Sequence, residues 1–207
     1  MTDQKRPYRK RRRAELEERT RARITESAVE LHGTLGPSRT SLSAVAALAG
    51  VRRSTLYRHF ADESALFAAC SAHWAAANPP PDLARWAAIE DPDERLRAAL
   101  VDLYAYYGRN ERMLANVFRD EAEMPIVREM LGGFRAYIAA ARELLMRGRA
   151  ARGAARRREL AATGHAVAFT TWRSLVREQG LDDAQAVELI GRLVGAAAAG
   201  ASSRRPT

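Results

Sequence analysis

The chain has 207 residues, 47% hydrophobic and 29% charged, and a single cysteine, Cys70. That composition supports a packed core rather than a disordered polypeptide, and one thiol excludes an internal disulfide and fits a reducing cytosol. No apolar run approaches the roughly 20 residues of a membrane span, and the charged N-terminus lacks the apolar segment of a secretory leader, so no membrane partner is expected.

The net charge of +9 is unevenly placed. Residues 1–60 hold 14 basic and 6 acidic side chains, and the rest hold 20 and 19. A basic block on one part of a chain is the footprint of a polyanion, because Lys and Arg displace the counterions of phosphates. A merely solubilising basic tail is the plainer reading of the same charge.

Taken in chain order, residues 1–13 contain the run Lys5-Arg6-Pro7-Tyr8-Arg9-Lys10-Arg11-Arg12-Arg13. It has no apolar periodicity and reads as a disordered basic arm. From Ala14 on, helix is expected almost everywhere. Ile24, Ala28, Leu31 and Leu35 draw one stripe along a first helix over 14–35, which Gly36-Pro37 should end with a left-handed glycine cap. A short helix over 42–48 starts behind Ser41 as N-cap. Ala49-Gly50-Val51 forms a turn, and a second short helix covers 52–59. Leu42, Val45, Val51 and Leu56 point inward between them, and Gly50 supplies the backbone angle of the turn. A longer helix starts near Asp62 and stops before Asn78-Pro79-Pro80-Pro81.

Beyond the prolines, Asp91-Pro92-Asp93-Glu94 opens a helix striped by Leu96, Leu100, Leu103 and Tyr107. Pro125 opens another, striped by Val127, Leu131, Phe134, Ile138, Ala141 and Leu145. Residues 147–158 read as a loop, residues 156–179 as one helix closed by Gly180, and Asp182 with Gln185 as the cap of the last helix. The tail 202–207 should fray. The fold class expected is all-α, with domains at 14–61 and 62–201.

The stretch from Ala49-Gly50-Val51 to Thr55-Leu56-Tyr57-Arg58-His59-Phe60, preceded by the capped Ser41-Leu42-Ser43-Ala44-Val45-Ala46 and followed by Leu66-Phe67, resembles the TetR family of bacterial regulators. The resemblance covers about residues 20–67. It implies an N-terminal three-helix helix-turn-helix domain that binds DNA, and a larger C-terminal helical domain for ligand binding and dimerisation. Ser41 is then the residue whose hydroxyl caps its helix and meets a phosphate. Arg52, Arg53 and Ser54 lead the recognition helix toward base edges, and the fork of Arg53 suits guanine. Thr55, Tyr57 and His59 resemble the phosphate-contacting set, and Arg9, Lys10, Arg11, Arg12 and Arg13 form a DNA arm. Two residues depart from the pattern: Glu63 stands where a Lys is usual, and Arg52 where a small capping residue is common.

The resemblance also implies a cytoplasmic homodimer on a near-palindromic operator in double-stranded DNA, most simply a repressor released by a small-molecule effector. Stripes at Ala168, Trp172 and Leu175 and at Val187, Ile190 and Val194 could form the seam. Tyr104, Tyr107, Met113, Phe118, Phe134, Tyr137, Phe169 and Trp172, near Asn116, Arg119, Asp120 and Glu121 in sequence, offer the surface of a ligand pocket, though ordinary cores have the same composition. Constitutive or activating regulation remains open, as does a sequence-neutral basic adaptor that coats nucleic acid. The histidines 32, 59, 73 and 165 are scattered and no phosphate loop or nucleophile elbow occurs, so neither enzyme activity, nor a metal, nor a cofactor is expected.

Overall fold

The computed structural model describes residues 5–199, and every element among them is helical. The helices are α1 (Lys5–Thr34), α2 (Leu42–Leu48), α3 (Arg53–His59), α4 (Glu63–Ala77), α5 (Leu83–Ala87), α6 (Pro92–Asp120), α7 (Pro125–Leu145), α8 (Gly153–Ala166), α9 (Phe169–Arg173), which runs on into a π-helical turn Ser174–Glu178, and α10 (Asp183–Ala199). They divide into two compact units, one of residues 1–79 and 112–130, the other of 80–111 and 131–207. The first unit thus runs through Pro79 and takes in the end of α6. The expected tail 202–207 lies outside the described residues.

In the first unit, α1 begins at Lys5 and not at Ala14. Residues 5–13, read as a disordered arm, are helical. Arg and Lys are good helix formers, and Arg11 and Arg13 pair with Glu15 and Glu17 one turn later at 3.1 and 3.0 Å. The sequence signal missed this because the arm has no apolar face to bury. Ile24 and Ala28 are wholly buried as expected, but Leu35 is exposed, past the point where the stripe meets the core.

Gly36 does not take the left-handed helical cap; it sits at φ 98 and ψ 157, a positive-φ conformation outside the helical region that suits only glycine. A Cβ there would lie 2.0 Å from Arg119 Nη2 and 2.7 Å from Asp120 Oδ2. That crowding reflects a clasp at the end of α6. Arg119 donates to Leu35 O (3.0 Å), Asp120 accepts from Ser38 N (2.9 Å), and Asn116 donates to the carbonyls of His32 and Gly33 (3.0 and 2.9 Å). These three side chains bond to the backbone of the last turn of α1 and of the segment that follows it. Burial opposes ionisation of Asp120, but hydrogen bonds from Arg119 and Ser38 hold its carboxyl below the usual range.

His32 is buried on α1, its ring centroid 5.0 Å from that of Phe67 and its Nδ1 3.5 Å from Cys70 Sγ. Burial lowers its pKa from 6.5 to about 4, against the attraction of Asp120. The unfolded chain therefore takes up a proton here that the folded chain refuses. Full stability is expected above pH 6.5, with a loss of up to about 3 kcal/mol as the pH falls toward 4. Urea unfolding at a series of pH values should show His32→Gln with a flatter profile than the parent. Parallel profiles would show that this imidazole is not the cause.

The second unit is built around α6. Asp91 Oδ1 caps it by accepting from the backbone N–H of Asp93 and Glu94 (2.9 and 2.8 Å), and Leu96, Leu100, Leu103 and Tyr107 are buried as the spacing predicts. The short α5 is absent from the sequence reading; its Trp86 is buried and donates Nε1 to Asp102 Oδ2 at 2.9 Å. The expected loop over 147–158 is shorter, since α8 starts at Gly153. The single helix expected over 156–179 is broken at Val167 and Ala168. Interrupting a helix orphans backbone carbonyls. Here Tyr104 and Tyr107, both fully buried, donate their hydroxyls to Ala166 O (3.0 Å) and Val167 O (2.6 Å).

Val187, Ile190 and Val194 are buried within the chain, and so is Trp172. These four residues of the expected seam are covered by the chain itself, with α10 packed on α8, while Ala168 and Leu175 are half-buried. A second apolar edge of α10 stays open: Leu189 and Leu193 are 39% and 54% exposed.

Candidate nucleic-acid interface

The candidate interface rests on how α2 and α3 are joined. Ser41 Oγ accepts the backbone N–H of Ala44 at 3.1 Å, which fixes the start of α2. At its other end Val51 N donates to Ala46 O (2.9 Å) and Gly50 N to Ala47 O (3.1 Å), with Gly50 at φ 63. This doubly bonded glycine stop turns the chain sharply without strain. Ala46 and Ala49 are small enough to be buried where the helices approach, and Val45, Leu56 and Phe60 join Ile24, Ala28, Leu66 and Cys70 in one core.

With Leu56 inward, the opposite face of α3 is bare. Arg52, Arg53, Ser54, Tyr57 and Arg58 are exposed, and Thr55 and His59 are half-buried. Arg52 is the N-cap residue of α3 and provides no side-chain cap. The guanidinium of Arg53 lies 5.5 Å from the Tyr57 ring centroid, donates to the Tyr57 hydroxyl at 3.0 Å and reaches Ser43 Oγ at 3.4 Å. Arg53, Tyr57 and Ser43 therefore form one exposed polar group. Nothing in the sequence marks Ser43 except its place in the first turn of α2.

The rear of α3 is held by Arg21 of α1, also missed by the sequence reading. Arg21 Nη1 donates to the carbonyl of His59, and its guanidinium stacks 4.1 Å over the Phe60 ring. A cation at a helix C-terminus is favourable to the helix dipole. His59 Nε2 is enclosed with no hydrogen-bond partner, so a phosphate contact by this ring would have to use its other nitrogen. Asp62 caps α4 by accepting from Ala65 N at 2.7 Å, and Glu63 follows in the first turn, where an acid suits the helix and repels a phosphate. Lys10, Arg11, Arg12 and Arg13 are exposed on α1; the side chain of Arg9 lies outside the described part.

The residues expected to line a pocket are divided. Met113 and Phe118 belong to the first unit and the other six to the second. There Tyr107, Phe169 and Trp172 form a cluster with centroids 5.5 to 6.1 Å apart, and Phe134 stacks with Tyr137 at 6.2 Å. Tyr104, Tyr107 and Trp172 are fully buried with their polar atoms bonded inside the protein, Trp172 to Asp183 Oδ1 at 2.9 Å. Burial pushes the phenols of Tyr104 and Tyr107 well up. These three are core as they stand; Phe134 and Tyr137 are half-buried.

Residues 24–70 match the model of the family described as bacterial regulatory proteins, tetR family. Solved structures similar in fold include a TetR-like transcriptional regulator from Rhodococcus sp. RHA1 (19% identity, 87% of this chain and 96% of that one, TM-score 0.60). Others are the fatty acid degradation regulator FadR from Bacillus halodurans (17%, 89% and 97%, 0.55) and the multidrug binding protein EbrR complexed with imidazole (20%, 84% and 93%, 0.52). A comparison with curated proteins finds no match.

Proposed function

We propose that this chain, whose residues 24–70 match the model of the family described as bacterial regulatory proteins, tetR family, is a DNA-binding transcriptional repressor that reads a near-palindromic operator with α3 and leaves it when a small effector binds. The observation that carries the reading is the bare face of α3, with Arg52, Arg53, Ser54 and Tyr57 exposed above a packed Leu56. A rigid short helix with two arginines at its front suits a major groove. Arg53, braced by Tyr57 and Ser43, would present its fork to a guanine. Ser41, Thr55, Tyr57 and His59 would fix register on phosphates, and Lys10 to Arg13 would add backbone contacts.

A homodimer fits the open edge at Leu189 and Leu193, two large apolar side chains one helical turn apart. It would place two copies of α3 about one DNA turn apart. A regulator that reads such an operator would work in the cytoplasm; among the described residues no helix is long and apolar enough to cross a membrane. For the effector, the half-buried Phe134 and Tyr137 are the accessible part of the aromatic body. A neighbour in fold that is described as a multidrug binding protein holds imidazole, and a ligand favouring one disposition of the two reading heads would shift the population off DNA.

Arg53→Ala is expected to relax preference at one base pair by about 1–3 kcal/mol, while Tyr57→Phe weakens all sequences and, by removing the hydroxyl that braces Arg53, relaxes the same base pair to a smaller degree. Fluorescence anisotropy on a panel of single-base operator variants separates the two effects. Equal binding by both variants and the parent would remove α3 from the interface and favour a sequence-neutral basic adaptor.

A further inference from the structure

The end of α1 accounts for two of the three side chains that clasp it. Asn116 and Arg119 donate to the carbonyls of His32, Gly33 and Leu35, which the ending helix leaves without partners. Asp120 serves a different group. Its Oδ2 accepts the backbone N–H of Ser38 at 2.9 Å, in the 3-10 turn Pro37–Arg39 beyond the helix. Ser38 is exposed, so water is at hand to satisfy that N–H. The partner supplied instead is a carboxylate only 3% exposed, and a buried charge is costly. Arg119 offsets the cost, its Nε and Nη2 donating to the two carboxylate oxygens at 2.7 and 3.2 Å. An apolar side chain would seal the same place more cheaply. What the carboxylate adds is direction, because a hydrogen bond fixes the turn in one place where apolar packing lets it slide.

The turn so fixed leads straight into the reading head. Thr40 Oγ1 donates back to Gly36 O (2.8 Å) and Thr40 N to Pro37 O (3.1 Å), which closes residues 36–40 on themselves. Ser41 follows directly, exposed, with its Oγ on Ala44 N as the cap of α2. The N–H held by Asp120 is thus three residues from the Ser41 hydroxyl, with a bonded turn between them.

We propose that Asp120 is a positioning residue for DNA binding, which through Ser38 sets the place of Ser41 against the phosphate backbone. This role rests on the reading of Ser41 as a phosphate contact. It makes the end of α6 part of the binding machinery, though its buried carboxylate touches no DNA.

Asp120→Ala is expected to weaken binding of the full chain to a fluorescein-labelled random-sequence duplex by roughly tenfold, about one charge-assisted hydrogen bond. Fluorescence anisotropy in dilute chloride reads the change. The substitution removes a negative charge from a chain of net +9, which by itself tightens binding to a polyanion. A loss of affinity therefore reports position and not charge. Asp120→Asn removes the same charge but keeps an oxygen for the Ser38 N–H, and should bind within about threefold of the parent. Ser41→Ala should weaken binding, and adding Asp120→Ala to it should weaken it little further, since both act at one contact. Ser38→Pro deletes the same hydrogen bond from the other side with no change of charge, at a first-turn position where proline is tolerated. It should weaken binding as Asp120→Ala does, and it stands in if circular dichroism shows Asp120→Ala losing helix. Parent-like or tighter binding by Asp120→Ala and Ser38→Pro, beside a weakened Ser41→Ala, overturns the positioning role and leaves the reading head as proposed. Losses that simply add in the double variant overturn it too. Parent-like binding by Ser41→Ala removes the phosphate contact itself, and the role of Asp120 with it.

Discussion

Arg149→Met is expected to lower the unfolding free energy by about 3–5 kcal/mol, the cost of stranding one member of a buried ion pair. Arg149 and Glu159 face each other at 2.9 Å with side chains 5% and 3% exposed. The guanidinium also supplies the carbonyls of Leu145 and Pro92. Methionine fills much of the volume but leaves Glu159 charged in the interior, where its Oε2 already lacks a partner. Adding Glu159→Leu should return part of the loss, because no charge is then stranded in the interior, while the carbonyls of Leu145 and Pro92 still lack the guanidinium. Urea unfolding of the parent, the single variant and the double variant checks this. A single-variant loss below about 1 kcal/mol, as for an exposed pair, would contradict it.

Leu56→Ala should cost about 2–5 kcal/mol in the first unit. Leu56 is wholly buried and is the inward residue on which α3 is seated, amid Ile24, Val45, Ala46 and Phe60. A helix of seven residues has little stability of its own. Removing its anchor should therefore loosen α3 before it unfolds anything else. Hydrogen exchange should show the amides of α3 losing protection first, while those around Leu100 and Leu103 in the second unit hold theirs. Leu56→Met, close in volume, should stay below about 1.5 kcal/mol. Equal loss of protection in both units would mean that α3 is not anchored as described.

The parts of this fold legible in the sequence are those whose chemistry lies within one helical turn. The caps at Ser41, Asp62 and Asp91 and the glycine stop at Gly50 are set by side chains and backbone groups three to five residues apart. The bare face of α3 was legible for the same reason, since Leu56 and its neighbours divide by helical spacing alone. What escaped the sequence is set by distant partners. The break at Val167 depends on tyrosines some 60 residues upstream, which accept the role of the missing helical donors. The clasp of Arg119 and Asp120 on Leu35 and Ser38 spans more than 80 residues. On α10 the periodicity shows two apolar edges, and which one the chain covers is decided by α8. Arg21, behind α3, carries no local mark at all.

The most direct measurement of the central claim, that α3 is an outward-facing reader of DNA sequence, is selection of bound duplexes from a random pool by the full chain. The account predicts enrichment of an inverted repeat with half-sites about one helical turn apart, and changed preference at one position per half-site when the pool is selected with Arg53→Ala. Enrichment of no sequence over the starting pool at moderate salt, with parent and variant retaining the same random mixture, would contradict it.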